Sequence, residues 1–155
     1  MTEATAAGVL AALRERGETL ATAESLTGGL LAAHLVDVPG ASRVFRGGIV
    51  AYATELKAAL VGVDADLLDR LGPVAAEVAA ALADGTRQRC GADWGIGTTG
   101  VAGPDPQDGK PAGTVFVGVA GPDGVVTRAL HLDGDRAAIR AATVTEAIGL
   151  LASRL

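Results

Sequence analysis

Ser25 is one of three serines in 155 residues, and it stands in Ala23-Glu24-Ser25-Leu26-Thr27-Gly28-Gly29, where a short apolar segment meets a glycine-flanked helix start. A hydroxyl at such a turn lies beside free backbone N–H groups, which suit an oxyanion or a phosphate. Gly28 and Gly29 let a ligand approach the backbone closely, and the N–H groups around Thr27 to Gly29 are the expected oxyanion donors. The same residues also describe a plain N-cap, a Ser or Thr side chain bonding the first turn of the helix that carries Leu30 and Leu31. The G-x-S-x-G elbow of the α/β-hydrolases is absent, because Ala23 and Thr27 occupy its glycine positions.

A serine nucleophile needs a base. His34 follows nine residues later and His131 stands in a late strand, each without an obvious orienting partner. Lys57 is the better candidate. Only two of the thirteen basic residues are lysines, Lys57 and Lys110; the rest are arginine. Arginine keeps its proton in proteins, whereas a desolvated lysine can lose it and act as a base. Lys57 comes five residues after Tyr52, at the start of a short helix behind a buried strand. A Ser–Lys pair is a known variant of triad logic. The alternative for Lys57 is a surface position beside Glu55, its stem lying over Leu60.

Two further features suit a phosphorylated ligand. Thr98-Thr99-Gly100-Val101-Ala102-Gly103-Pro104 follows a strand, at the edge where open α/β sheets bind ligands. It is no Walker A loop, yet the Thr99 hydroxyl and the N–H groups around Gly100 could cradle a phosphate or a ribose; the alternative is a plain surface loop. Arg136 and Arg140 lie four apart at the start of the last helix, where like charges repel by roughly 0.2–0.5 kcal/mol. A bound phosphate would offset that repulsion, as would the neighbouring Asp133 and Asp135. No His/Asp/Glu cluster has metal-ligand spacing, and the run Asp64, Asp66, Asp69 reads as a solvated helix start.

These residues need elements to hold them. Apolar spacing predicts a helix over 4–16, a strand over 19–23, a helix through Leu30, Leu31 and Leu35, and a strand over 44–52 interrupted at Gly47-Gly48. Helices over 54–60 and 64–71 follow, then a long one from Pro73 through Arg89. A strand over 93–98, a loop over 99–113, and a hairpin of 114–120 and 125–132 precede a helix over 135–155. Helices alternating with strands, closed by a hairpin and a helix, predict an α/β fold: a three-layer α/β/α sandwich with a mixed, mostly parallel sheet, one domain over 1–155.

Composition narrows the function. Hydrophobic residues make up 49% and charged residues 20%, which fits a globular chain. No run reaches the ~18–20 apolar residues of a membrane span, and the first ten residues lack a secretory leader's basic start. One cysteine excludes a disulfide framework and multi-thiolate zinc. Net charge −5 makes general nucleic-acid binding unfavourable. The expectation is a cytoplasmic domain with no membrane and no nucleic-acid partner.

Six segments in order, AESLTGG (23–29), YATELKAALVGV (52–63), EVAAALADG (77–85), TTGVAGP (98–104), KPAGTVFVGVA (110–120) and GDRAAIRAATV (134–144), resemble the C-terminal domain of the CinA (competence/damage-inducible) family, which includes stand-alone PncC-type amidohydrolases. The resemblance implies an α/β/α domain, often a homodimer, that hydrolyses the carboxamide of nicotinamide mononucleotide to nicotinate mononucleotide and ammonia, without a metal or organic cofactor. It implies Ser25 as nucleophile and Lys57 as base with Tyr52 close by, Thr99 and Gly100 as substrate contacts, and Arg140 with Arg136 on the phosphate. Relatives usually carry Cys where Leu26 stands and Asn where Thr54 stands. The alternative within the family is a nucleotide-binding regulatory domain without chemistry. Lys57 discriminates, since a binding module could use Arg there equally well.

Overall fold

The structure, a computed structural model, describes residues 4–155. Residues 1–3, where the leader reading and the domain boundary begin, lie outside the described residues. Strands β1 (Leu20–Glu24), β2 (Phe45–Val50), β3 (Trp94–Gly100), β4 (Thr114–Gly121) and β5 (Gly124–His131) form one sheet ordered β2-β1-β3-β4-β5. β1 pairs parallel with β2 and β3, and β4 and β5 join antiparallel. β1 is buried along its whole length. Its run Leu-Ala-Thr-Ala suits a strand covered on both faces and flanked by parallel neighbours.

Six helices cover the sheet among the described residues: α1 (Ala6–Arg16), α2 (Leu30–Val36), α3 (Thr54–Val61), α4 (Ala65–Leu71), α5 (Ala76–Arg89) and α6 (Arg136–Ala152). Helices α1, α2 and α6 enclose one core, where Leu13, Leu31 and Ile148 meet Ile96 and Val117 of the sheet. Helices α3, α4 and α5 enclose the other, around Ala23, Val61, Leu68, Val78 and Leu82. This is the three-layer α/β/α arrangement and the mixed sheet that the alternation predicts. α5 lies against the sheet backbone itself. A Cβ at Gly97 or Gly118 would stand 2.5 Å from the Ala79 carbonyl oxygen, so only glycine permits this approach.

Two elements differ from the pattern reading. The long helix begins at Ala76, not Pro73. Residues 72–75 stay outside it because the Pro73 carbonyl accepts from Thr99 Oγ1 at 2.7 Å and the Val74 carbonyl accepts from Lys110 Nζ. The α5 ladder starts instead at the Ala75 carbonyl. The second difference concerns the serine. Helix α2 starts at Leu30 with Gly29 as its N-cap, so Ser25 is not a cap. The N–H groups of Leu31 and Ala32 donate instead to the Glu24 carboxylate, at 2.8 and 3.0 Å.

Candidate active site

The parallel strands bring the ends of β1, β2 and β3 to one edge of the sheet. Ser25 directly follows β1, and its backbone N–H donates to the Thr98 carbonyl of β3 at 3.0 Å. β2 delivers the chain through Ala51 and Tyr52 into α3, whose first turns carry Lys57. The Lys57 side chain is 1% exposed, which excludes the surface alternative. Its Nζ lies 2.9 Å from Ser25 Oγ and donates to the carbonyls of Ala51 at 2.9 Å and Tyr52 at 3.1 Å. Burial lowers the Lys57 pKa from 10.5 to about 8, with the nearby Glu55 charge pulling modestly the other way.

These contacts define the lysine's two states. A protonated ammonium has three donors, and all three are then used. A neutral amine keeps two N–H groups for the two carbonyls and directs its lone pair at Ser25. The carbonyls thus orient the base toward the one hydroxyl in reach.

Ser25 and Lys57 lie in the wall of a cavity of about 480 Å³, together with Tyr52, Thr99, Gly100 and Arg136. The Arg136 guanidinium donates to the Tyr52 hydroxyl at 3.0 Å and to the Gly103 carbonyl at 2.7 Å, linking the α6 N-terminus to both sides of the cavity. Asp135 serves as the α6 N-cap, accepting from the Ala138 N–H at 2.9 Å. The glycine-rich loop is therefore a cavity wall, contributing Gly100 through Gln107.

Other expected site residues stand apart. Thr27, Gly28, Gly29 and Arg140 are outside the cavity lining. The Thr27 hydroxyl shares a buried 2.8 Å hydrogen bond with Thr98, and the Gly28 N–H donates to the Ser25 carbonyl at 3.0 Å. Arg140 reaches across from α6 to the serine turn, Nε donating to the Leu26 carbonyl at 2.9 Å and one Nη to the Thr27 carbonyl at 3.0 Å. The Leu26 N–H has no partner among the described residues, and Leu26 borders the cavity.

Sequence reasoning missed Glu24 and the Pro73-Val74 wall of the cavity. A strand-end carboxylate capping a helix seven residues away has no established spacing signature. The Pro73-Val74 wall was hidden because a proline before a helical pattern reads as the helix's first turn. Among the described residues no three His, Cys, Asp or Glu side chains converge as metal ligands, and no helix is long and apolar enough to cross a membrane.

A family model described as the CinA C-terminal domain matches residues 2–155. A CinA-like protein of Frankia casuarinae is 58% identical over 143 residues, 92% of this chain and 33% of that protein. Another, from Anaeromyxobacter dehalogenans, is 49% identical over 92% of this chain and 35% of its own length. The chain thus spans about a third of the length of the curated relatives it matches. A CinA superfamily protein from Klebsiella pneumoniae superposes with TM-score 0.93 at 33% identity, covering 96% of this chain and 94% of that one. A competence/damage inducible protein from Agrobacterium tumefaciens superposes with TM-score 0.91 at 32% identity, covering 96% and 92%. This chain belongs to the CinA family, as a CinA C-terminal domain.

Proposed function

We propose that this chain is a Ser–Lys amidohydrolase that converts nicotinamide mononucleotide to nicotinate mononucleotide and ammonia. The buried contact of 2.9 Å between Lys57 Nζ and Ser25 Oγ carries this reading. Neutral Lys57 takes the Ser25 proton as Oγ attacks the carboxamide carbon. The Leu26 N–H, adjacent to the nucleophile and at the cavity wall, is taken as the donor for the developing oxyanion; of the Thr27, Gly28 and Gly29 N–H groups, all outside the cavity lining, that of Gly28 is engaged. Collapse breaks the C–N bond, and Lys57 returns its proton to the leaving ammonia. Water, deprotonated by Lys57, then attacks the Ser25 ester. Its hydrolysis releases the carboxylate product and restores the hydroxyl.

Arg136 supplies the charge for the substrate phosphate at the α6 N-terminus, and Tyr52, Thr99 and Gly100 line the space between phosphate and nucleophile. Arg140 is left out of this role because, unlike Arg136, it does not line the cavity, and its guanidinium holds the serine turn. The family resemblance adds a homodimer to the proposal, which light scattering of the purified chain tests by mass.

The deciding experiment measures ammonia release from nicotinamide mononucleotide by wild type, Ser25→Ala and Lys57→Arg. Release by wild type and loss of roughly three orders of magnitude or more in both variants is the expected result, in line with other nucleophile and base deletions. Binding without release would favour a regulatory nucleotide-binding domain, and release by either variant at the wild-type rate would end the Ser–Lys mechanism.

A further inference from the structure

The turn that carries Ser25 is held from two sides by charged side chains that do not touch the cavity. Glu24 is 1% exposed, and its two carboxylate oxygens take the N–H groups of Leu31 and Ala32 at 2.8 and 3.0 Å. Gly29, the cap of α2, offers no side chain of its own, so these helix-start donors depend on Glu24. Across the turn, Arg140 takes the Leu26 and Thr27 carbonyls at 2.9 and 3.0 Å. The turn's acceptors and the donors that follow it thus have charged partners separated by 116 residues of chain. Charge-assisted hydrogen bonds are about twice as strong as neutral ones, and a guanidinium fork fixes direction as well as distance.

We infer that Glu24 and Arg140 are positioning residues that together fix the serine turn so that Ser25 Oγ meets Lys57 Nζ. The inference rests on reading Ser25 and Lys57 as the reactive pair. The carboxylate fastens the end of β1 to the start of α2. That closes residues 25–30 into a loop of fixed span. The guanidinium orients the Leu26 and Thr27 peptide planes from the side of α6. A trans peptide places its N–H opposite its carbonyl, so the same contact sets where the Thr27 and Gly28 N–H groups point. The Gly28 N–H closes back on the Ser25 carbonyl at 3.0 Å. Gly28 is favoured by its left-handed backbone rather than by crowding. A Cβ there would stand 3.5 Å from the Arg140 Nη2, at a backbone φ of +55°.

The test uses phosphorylation of Ser25 by diisopropyl fluorophosphate, which needs no knowledge of the substrate. Oγ forms the P–O bond, the P–F bond breaks, fluoride leaves, and Lys57 takes the proton. The labelling rate of folded protein is followed from pH 6 to 10 in wild type, Glu24→Gln, Glu24→Asp, Arg140→Met and Arg140→Lys, with Lys57→Met as the base-less control. Glutamine keeps one acceptor and turns an amide donor toward the other backbone N–H. Lysine can reach one of the two carbonyls.

Glu24→Gln and Arg140→Met are expected to label roughly 10- to 100-fold slower per folded molecule, as a misplacement of about an ångström would cost. Glu24→Asp and Arg140→Lys should fall between them and wild type. The rise of rate with pH, set by Lys57 in wild type, should shift or flatten in the same order. A purely structural role would lower the melting temperature and leave the rate and pH profile of folded protein at wild-type values, and that result overturns the inference. The milder pair keeps the test decisive if Glu24→Gln or Arg140→Met fails to fold. Labelling without ammonia release from the mononucleotide would remove the substrate reading and leave the clamp standing. Absence of labelling in wild type would remove both.

Discussion

At the scale of single residues, Lys57 is the group on which most observable behaviour turns. Its pKa of about 8 predicts that kcat/KM for amide hydrolysis rises through pH 7 to 8 and levels above, because only the amine accepts the Ser25 proton. A pH profile that is flat over that range, or falling, would contradict a lysine base. The same shift couples to folding. Unfolded Lys57 titrates at 10.5, so between about pH 8 and 10.5 the unfolded chain binds more protons and stability rises with pH. The full effect is on the order of 3 kcal/mol. Urea melts of wild type and Lys57→Met at pH 7 and pH 10 isolate it: wild type should gain on the variant as pH rises. Ser25 and Lys57 were legible in the sequence because the chain uses their residue types so rarely. Glu24 was not, and Arg140 was read as a phosphate contact rather than a holder of the serine turn, since what both bind is backbone brought near by the fold.

At the scale of elements, the fold depends on how closely α5 lies to the sheet. Gly97 and Gly118 face the Ala79 carbonyl, and an added methyl has no room to form. Gly97→Ala should therefore destabilise by about 1–3 kcal/mol or more, lowering the urea midpoint with little change in slope. Strand and helix types followed directly from apolar periodicity. The close approach of α5 was hidden, because glycine spacing alone does not say which helix arrives. The start of α5 was also misplaced for a tertiary reason. Thr99 and Lys110 take the Pro73 and Val74 carbonyls, holding residues 72–75 out of the helix and against the cavity.

At the scale of the molecule, ligand binding should register as global stability, since the cavity is built from β1, α3, the loop after β3 and α6 together. Nicotinamide mononucleotide added to Ser25→Ala at a hundredfold excess over its dissociation constant should add about 2.7 kcal/mol. For a chain of this size that is a rise of roughly 5–11 °C in melting temperature. Arg136→Ala in the same background should need a higher ligand concentration for the same rise; an unchanged requirement would remove Arg136 from phosphate binding. The three-layer sandwich was readable from the order of elements, whereas the cavity was not, because its walls come from segments with no shared pattern.

The parallel strands and α3, residues 20–61, hold the serine and its lysine, while Arg136 and the wall from Thr99 through Gln107 come from the later half of the chain. On the proposed reading, the reacting pair and the phosphate contact come from separate stretches of one polypeptide, joined by Arg140 at the serine turn. Change confined to Arg136 and the wall from Thr99 through Gln107 could exchange one amide-bearing ligand for another while Ser25, Lys57 and the Arg140 that holds their turn remain as they are.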